Sequence, residues 1–245
     1  MATEPGLEYE VFLTRQAFAI NKARQDHLAS LGLDLSGKRV LEVGAGIGLH
    51  TEFFEARGCR VVSTDGNPDN VAEITRRHPD RTVGVLDLDD PSGLHELGEF
   101  EVVYCYGTLY HLSQPERALH VLAEVCREII LLETCVTLGH YSELHLVRDT
   151  SSNNQSIHSI GCRPTRLWVI ETLRAAFGHA YITATQPSHP DFDLDWRIVE
   201  SPKLHRAVFV GSKQSLANEL LLEVVPEVQT RAVERTEHPE SLTAN

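Results

Sequence analysis

The stretch Val40 to Phe54 reads VLEVGAGIGLHTEFF, an apolar run broken by an acid at Glu42 and then by glycines at 44, 46 and 48. Glycines at this spacing after an apolar run make a tight turn whose backbone can approach a nucleotide-like ligand with no Cβ in the way. The pattern is E-x-G-x-G-x-G, running from Glu42 through Gly44, Ala45 and Gly46 to Gly48. The dinucleotide fingerprint needs a small residue at position 49, where this chain has Leu49, and that disfavours a pyrophosphate seat on the following helix. Asp65 closes the run RVVSTD about 20 residues beyond the glycines, where an acid can accept both hydroxyls of a ribose. It can also be a solvated acid in a turn. Asp87, in LDLDD, ends another apolar run; its alternative role is to cap a helix starting near 91.

These residues must be held by an alternation of strands and helices. KRVLEVG, RVVSTD (60–65), RTVGVLDL (81–88), FEVVYCYG (100–107) and EIILLETCV (128–136) read as apolar strands. Between them lie helical patterns at 67–78, with Asn67 as cap and Pro68 at the first position, near 91–97, and at 113–126 with Ser113 as cap. A further helix is expected at 14–31, between a cap at Thr14 and a stop at Gly32. Another is expected at 164–178, with Thr165 as cap and Gly178 as C-cap. Strands are expected again in HAYITATQ and at 205–213. Continuous apolar strands separated by helices imply an α/β fold, a doubly wound, mostly parallel sheet with helices on both faces. Residues 137–163 are polar, without a clear period, and are read as an insertion with no secondary structure, either a lid or a solvated loop. The division expected is an N-terminal helical lid (1–36), a catalytic domain (37–222) and a polar tail (223–245).

LEVGAGIG resembles the first motif of the Rossmann-like (class I) S-adenosylmethionine-dependent methyltransferases. Asp65, LDLDD and VVYCYGTLYHL (102–112) stand in the register of that family's later motifs. The resemblance covers residues 38–135 best and implies a seven-stranded sheet binding S-adenosyl-L-methionine. It implies a cofactor loop at Glu42, Gly44, Ala45, Gly46 and Gly48, with Glu42 orienting that loop or reaching the methionine amino group. It places the ribose at Asp65, flanked by Gly66 and Asn67, the adenine at Asp87 and Leu88, and the methionine end at Tyr106 and Gly107. GTLYHLSQPERAL, ILLET and RPTRLWVIETLRAAFG are similar, more narrowly, to tRNA wobble-uridine carboxymethyltransferases and to relatives in sugar or small-molecule pathways.

Methyl transfer asks the protein to hold a nucleophile in line and exclude water, with a general base where the acceptor is a hydroxyl. His111, next to the fourth strand, is a candidate base, or else packing; Tyr110 is a candidate contact to substrate or cofactor. Arg163 can clamp an anionic group or form a surface ion pair. The insertion also holds His140, Tyr141, His145, Asn153, Asn154 and His158, with no carboxylate or cysteine at a diagnostic metal spacing, so no metal is expected. Arg15, Asn21 and Arg24 are polar positions on the first helix, and Trp196 is either pocket wall or core.

The 245 residues carry a net charge of −13, which opposes sequence-blind binding to nucleic acid and favours a small acceptor. Five cysteines form no C-x-x-C pair, and Cys105 and Cys135 are expected as buried, inert thiols. No apolar segment reads as a signal or a membrane span, so a soluble cytoplasmic protein is expected. The reading is methyl transfer to a small-molecule or sugar-like acceptor, oxygen first and nitrogen second. The alternatives are a tRNA-modifying (carboxy)methyltransferase, an NAD(P)-dependent oxidoreductase and a non-catalytic cofactor-binding scaffold.

Overall fold

The structure is a computed structural model and describes residues 7–149, 157–198, 201 and 203–232. The chain runs α1 (Arg15–Ser30), β1 (Arg39–Val43), α2 (Thr51–Glu55), β2 (Arg60–Asp65), α3 (Pro68–Arg77), β3 (Thr82–Val85), β4 (Phe100–Tyr106), α4 (Pro115–Val125) and β5 (Cys126–Val136). It continues with β6 (Leu144–Arg148), β7 (Ile160–Pro164), α5 (Arg166–Phe177), β8 (His179–Thr183), β9 (Thr185–Gln186), β10 (His205–Ser212), β11 (Leu221–Leu222) and β12 (Thr230–Arg231). The main sheet has the order β11-β8-β10-β5-β4-β1-β2-β3. Strands β1 to β5 pair in parallel, and β10 lies antiparallel between β5 and β8. Seven of these strands are those expected; the eighth, β11, is a two-residue addition at the edge. Among the described residues no helix is long and apolar enough to cross a membrane.

Successive strand residues feed opposite cores, as a sheet covered on both faces requires. Val40, Val102 and Tyr104 pack with Ile20 and Leu28 of α1 and with Leu31 just beyond it. Leu41, Val43 and Val103 pack with Leu119 and Leu122 of α4 and Val169 and Leu173 of α5. Caps fall where expected on three helices: Thr14 accepts from Ala17 N, Asn67 from Asp69 N and Thr165 from Trp168 N. Gly178, at a φ of 98°, closes α5. Helix α4 departs from expectation. Its cap position is Gln114, whose side chain makes no cap bond; the Asp89 carboxylate instead accepts from Ser113 N at 2.8 Å and Gln114 N at 2.8 Å. The helical turn near 91–97 is a 3-10 turn, Leu94–Leu97.

The insertion is also corrected. Residues 137–163, read as lacking secondary structure, contain β6 and β7, an antiparallel pair with His145 opposite Arg163. Asn153 and Asn154 lie outside the described residues. Beyond Leu222 the polar stretch stays in the fold as far as Ala232. There β12 pairs with β9, and the buried Gln229 bonds Trp196, Gln186 and Thr183. Trp196 is core, 1% exposed.

Candidate active site

Sheet order reverses between β1 and β4, so the loops after these strands diverge and open a crevice at their carboxyl ends. A cavity of about 470 Å³ lies there. Of the residues expected to hold a cofactor, Glu42, Gly44, Ala45, Gly46, Asp65, Gly66, Asn67, Asp87, Leu88, Tyr106 and Gly107 line it. Gly48 does not; it shapes the turn from behind, with a φ of 76° and its N–H donated to Ala45 O at 2.9 Å. The other two loop glycines are also in the left-handed region, and a Cβ on Gly44 would stand 2.1 Å from Thr108 Oγ1.

Asp65 ties this loop to the second strand. Its Oδ2 accepts from Gly46 N at 2.8 Å; its Oδ1 accepts from Asn67 N at 2.9 Å and Asn70 Nδ2 at 3.0 Å. Three of roughly four acceptor sites on the carboxylate are thereby taken. That leaves room for one ligand hydroxyl where the sequence reading allowed two. Burial pushes the Asp65 carboxyl above its ordinary value, against the pull of those three bonds. Glu42 is almost wholly buried and accepts from Thr51 Oγ1 at 2.6 Å and Ser63 Oγ at 2.8 Å, so it braces the start of α2. Burial raises its carboxyl too. Asp87 is a half-exposed rim acid whose Oδ2 meets His158 Nε2 at 2.7 Å; its Oδ1 accepts from Asp89 N.

On the other side of the crevice stand Tyr110 and His111, rings 4.2 Å apart. His111 Nδ1 lies 2.5 Å from Asp149 Oδ2, carried in by the insertion just after β6. A carboxylate accepts only, so Nδ1 carries the hydrogen and Nε2 is left with a lone pair. Burial lowers the His111 pKa; Asp149 works against that, and Arg163 and Arg206 reinforce it. The imidazole is therefore neutral near pH 7. Arg163 does not reach the cavity. Its Nη1 donates to Tyr110 O at 3.1 Å and Cys162 O at 2.6 Å, and its guanidinium lies 5.5 Å from the Tyr110 ring. It braces the residue that lines the wall.

A family profile described as a methyltransferase domain matches residues 14–179. The chain belongs to that methyltransferase family. This meets the expectation of a class I, S-adenosylmethionine-dependent methyltransferase. A ubiquinone biosynthesis O-methyltransferase of Xanthomonas oryzae pv. oryzae (strain PXO99A) is 31% identical over 113 residues, 44% of this chain and 46% of that protein. The match thus spans under half the length of that curated relative. Among solved structures, the N-terminal domain of EvdMO1, crystallised with SAH and D-fucose, superposes at a TM-score of 0.60 with 20% identity, over 82% of this chain and 85% of that one. A 1,6-didemethyltoxoflavin-N1-methyltransferase of Burkholderia thailandensis superposes at 0.54 with 18% identity, over 85% of each chain. At these identities the likeness to solved structures is one of fold.

On the cavity wall and behind it stand residues that sequence reasoning missed. Phe12, from the turn before α1, covers Gly46, where a Cβ would stand 2.9 Å from its ring. His50 binds the Tyr104 hydroxyl, and burial lowers its pKa to about 3. Glu133 of β5 is fully buried between Arg24 and Arg206. The signal for Glu133 was present, an acid inside an apolar strand that requires a partner. Nothing local marked Asp149. Of the other candidates, Asn21, Arg24 and His158 line the cavity, and Arg15, His140 and His145 do not. A nucleoside cofactor fits this methyltransferase site. The glycine turn is closed to any side chain, and two lining residues, Tyr106 and Arg24, carry buried polar atoms with no partner among the described residues.

Proposed function

We propose that the protein methylates a hydroxyl of a small molecule, with the His111–Asp149 pair as its base. The observation that carries this reading is the buried 2.5 Å contact between Asp149 and His111 Nδ1, with the imidazole on the cavity wall. In this reading the 44–48 loop, Asp65, and Asp87 with Leu88 hold the nucleoside. Tyr106, Gly107 and Arg24 hold the methionine end. S-adenosylmethionine supplies, when bound, an activated methyl group on a sulfonium. The protein's own work is to exclude water, orient the acceptor and take its proton. Asp149 fixes the His111 tautomer and stabilises the imidazolium that forms as Nε2 takes the hydroxyl proton. Phe12 and the first helix form the lid of the 1–36 segment, and the domain proper runs from 37. The charge of −13 supports a small acceptor over a nucleic acid, and five buried free cysteines support a cytoplasmic setting.

The test has two parts. S-adenosylhomocysteine binding is measured by calorimetry, and transfer of a labelled methyl group is measured over a panel of phenols and sugars. His111→Gln and Asp149→Asn should each lower kcat by about 100-fold or more while leaving S-adenosylhomocysteine affinity unchanged. The wild-type rate should climb with pH through a value below 6.5 and be level at neutrality, since the base must be unprotonated and its pKa is lowered. Full activity in both variants would end the assignment of the base.

A further inference from the structure

The cavity holds more positive charge than its described acids match. Glu133 is fully buried; its Oε2 accepts from Arg24 Nη2 at 2.6 Å and its Oε1 from Arg206 Nη1 at 3.1 Å. Two guanidinium groups share one carboxylate. Both arginines line the cavity, with side chains 9% and 12% exposed, and each keeps a buried Nε with no partner among the described residues. A buried charge is costly unless it is paired, so the second guanidinium requires a counter-charge.

Among the described residues, the acids around the cavity do not supply one. Asp65 serves the glycine loop, and Asp87, beyond the far edge strand, meets His158. Asp149 is taken by His111, and Glu42 by Thr51 and Ser63. Asp191 lines the same cavity, but its side chain is 36% exposed and beside His189, so water screens it. In the proposed reaction the cofactor's one carboxylate meets Arg24, while its sulfonium and ammonium add two positive charges, so the surplus of positive charge remains. Arg206 itself is held in place beside the base. Its Nη2 lies 3.4 Å from the Tyr110 hydroxyl, and its guanidinium carbon lies 5.0 Å from the ring that contacts His111. Cation, aromatic ring and imidazole are successive neighbours on the cavity wall.

We propose that the acceptor is a hydroxy acid, whose carboxylate docks on Arg206 while its hydroxyl is presented to His111. The proposal rests on the reading of His111 as the base. A planar guanidinium with free N–H groups matches a carboxylate bidentately, which lysine cannot do. Glu133 holds Arg206 in position.

The probes are 4-hydroxybenzoate, 4-hydroxybenzamide and 4-hydroxybenzyl alcohol, titrated by ligand-observed NMR into the full chain loaded with S-adenosylhomocysteine. The acid should bind at least about tenfold more tightly than either neutral probe. Arg206→Gln should bring the acid down to the level of the amide, and Arg206→Lys should retain part of the preference. Calorimetry on both variants should still show S-adenosylhomocysteine binding, weaker where the shared Glu133 shifts Arg24, so that the acid preference is read on loaded protein. An acid that binds no better than the amide to the wild-type protein, or a preference that survives Arg206→Gln, overturns the proposal. Failure to bind S-adenosylhomocysteine at all would instead strike the underlying methyltransferase site. Normal cofactor binding without acid preference sinks the hydroxy-acid inference alone.

Discussion

The Asp65 carboxylate accepts from Gly46, Asn67 and Asn70 while standing on the cavity wall, so removing it acts on the fold and on ligand binding together. Leaving buried donors unmatched costs about 1–3 kcal/mol each before relaxation. Asp65→Ala should therefore lower the melting temperature as well as weaken S-adenosylhomocysteine binding by about tenfold or more, the loss of one charged hydrogen bond. Thermal melts and calorimetry on the same preparation separate the two. A destabilised variant with unchanged affinity would leave Asp65 as a brace of the glycine loop alone. The sequence reading treated this acid as a ligand contact or a solvated turn residue; the three donors around it are what the sequence did not reveal.

At the scale of elements, α1 lines one side of the cavity and the β6–β7 pair backs Tyr110 and His111 on another. The pair is seated closely: a Cβ on Gly161 would stand 2.4 Å from Tyr110 O. Helix α1 is fixed from its far end by His27, whose Nε2 donates to Thr185 O at 3.0 Å. Burial lowers the His27 pKa to about 4 from 6.5. The unfolded chain therefore binds this proton first. The stability that His27 contributes is present above pH 6.5 and is lost as pH falls towards 4, by about 3 kcal/mol at most. Melts at pH 7 and pH 4.5 should show the drop, and His27→Gln should shrink the difference between them. His50, lowered to about 3, acts in the same direction and accounts for part of what remains. An unchanged pH dependence in His27→Gln would remove this histidine from the explanation.

For the molecule as a whole, the residues after the main sheet complete the core. Gln229 Oε1 accepts from Trp196 Nε1 at 2.7 Å and Gln186 Nε2 at 3.1 Å, and Arg166 Nη1 donates to Pro226 O at 2.8 Å. Truncation after Leu222 would strand these buried donors. The expected loss is about 3 kcal/mol or more, a fall of roughly 6–12 °C in melting temperature. A truncated chain that melts with the full-length protein would show that 223–232 adds nothing.

The sequence alone determined the sheet, the glycine turn and the place of the two aspartates, because each is written locally. Apolar runs specify strands, a cap residue marks a helix start, and only glycine accepts the backbone at 44, 46 and 48. It missed the β6–β7 pair because that pair lies outside the main sheet and leaves Leu146 and Ile160 exposed, so no apolar period announces it. It chose Ser113 to cap α4, where a carboxylate 24 residues earlier does so. Tertiary structure also decided the site's chemistry. Asp149 meets His111 across 38 residues, and Arg24 meets Glu133 across 109. Charges so far apart in the chain become partners only when folding removes the water that would otherwise screen them.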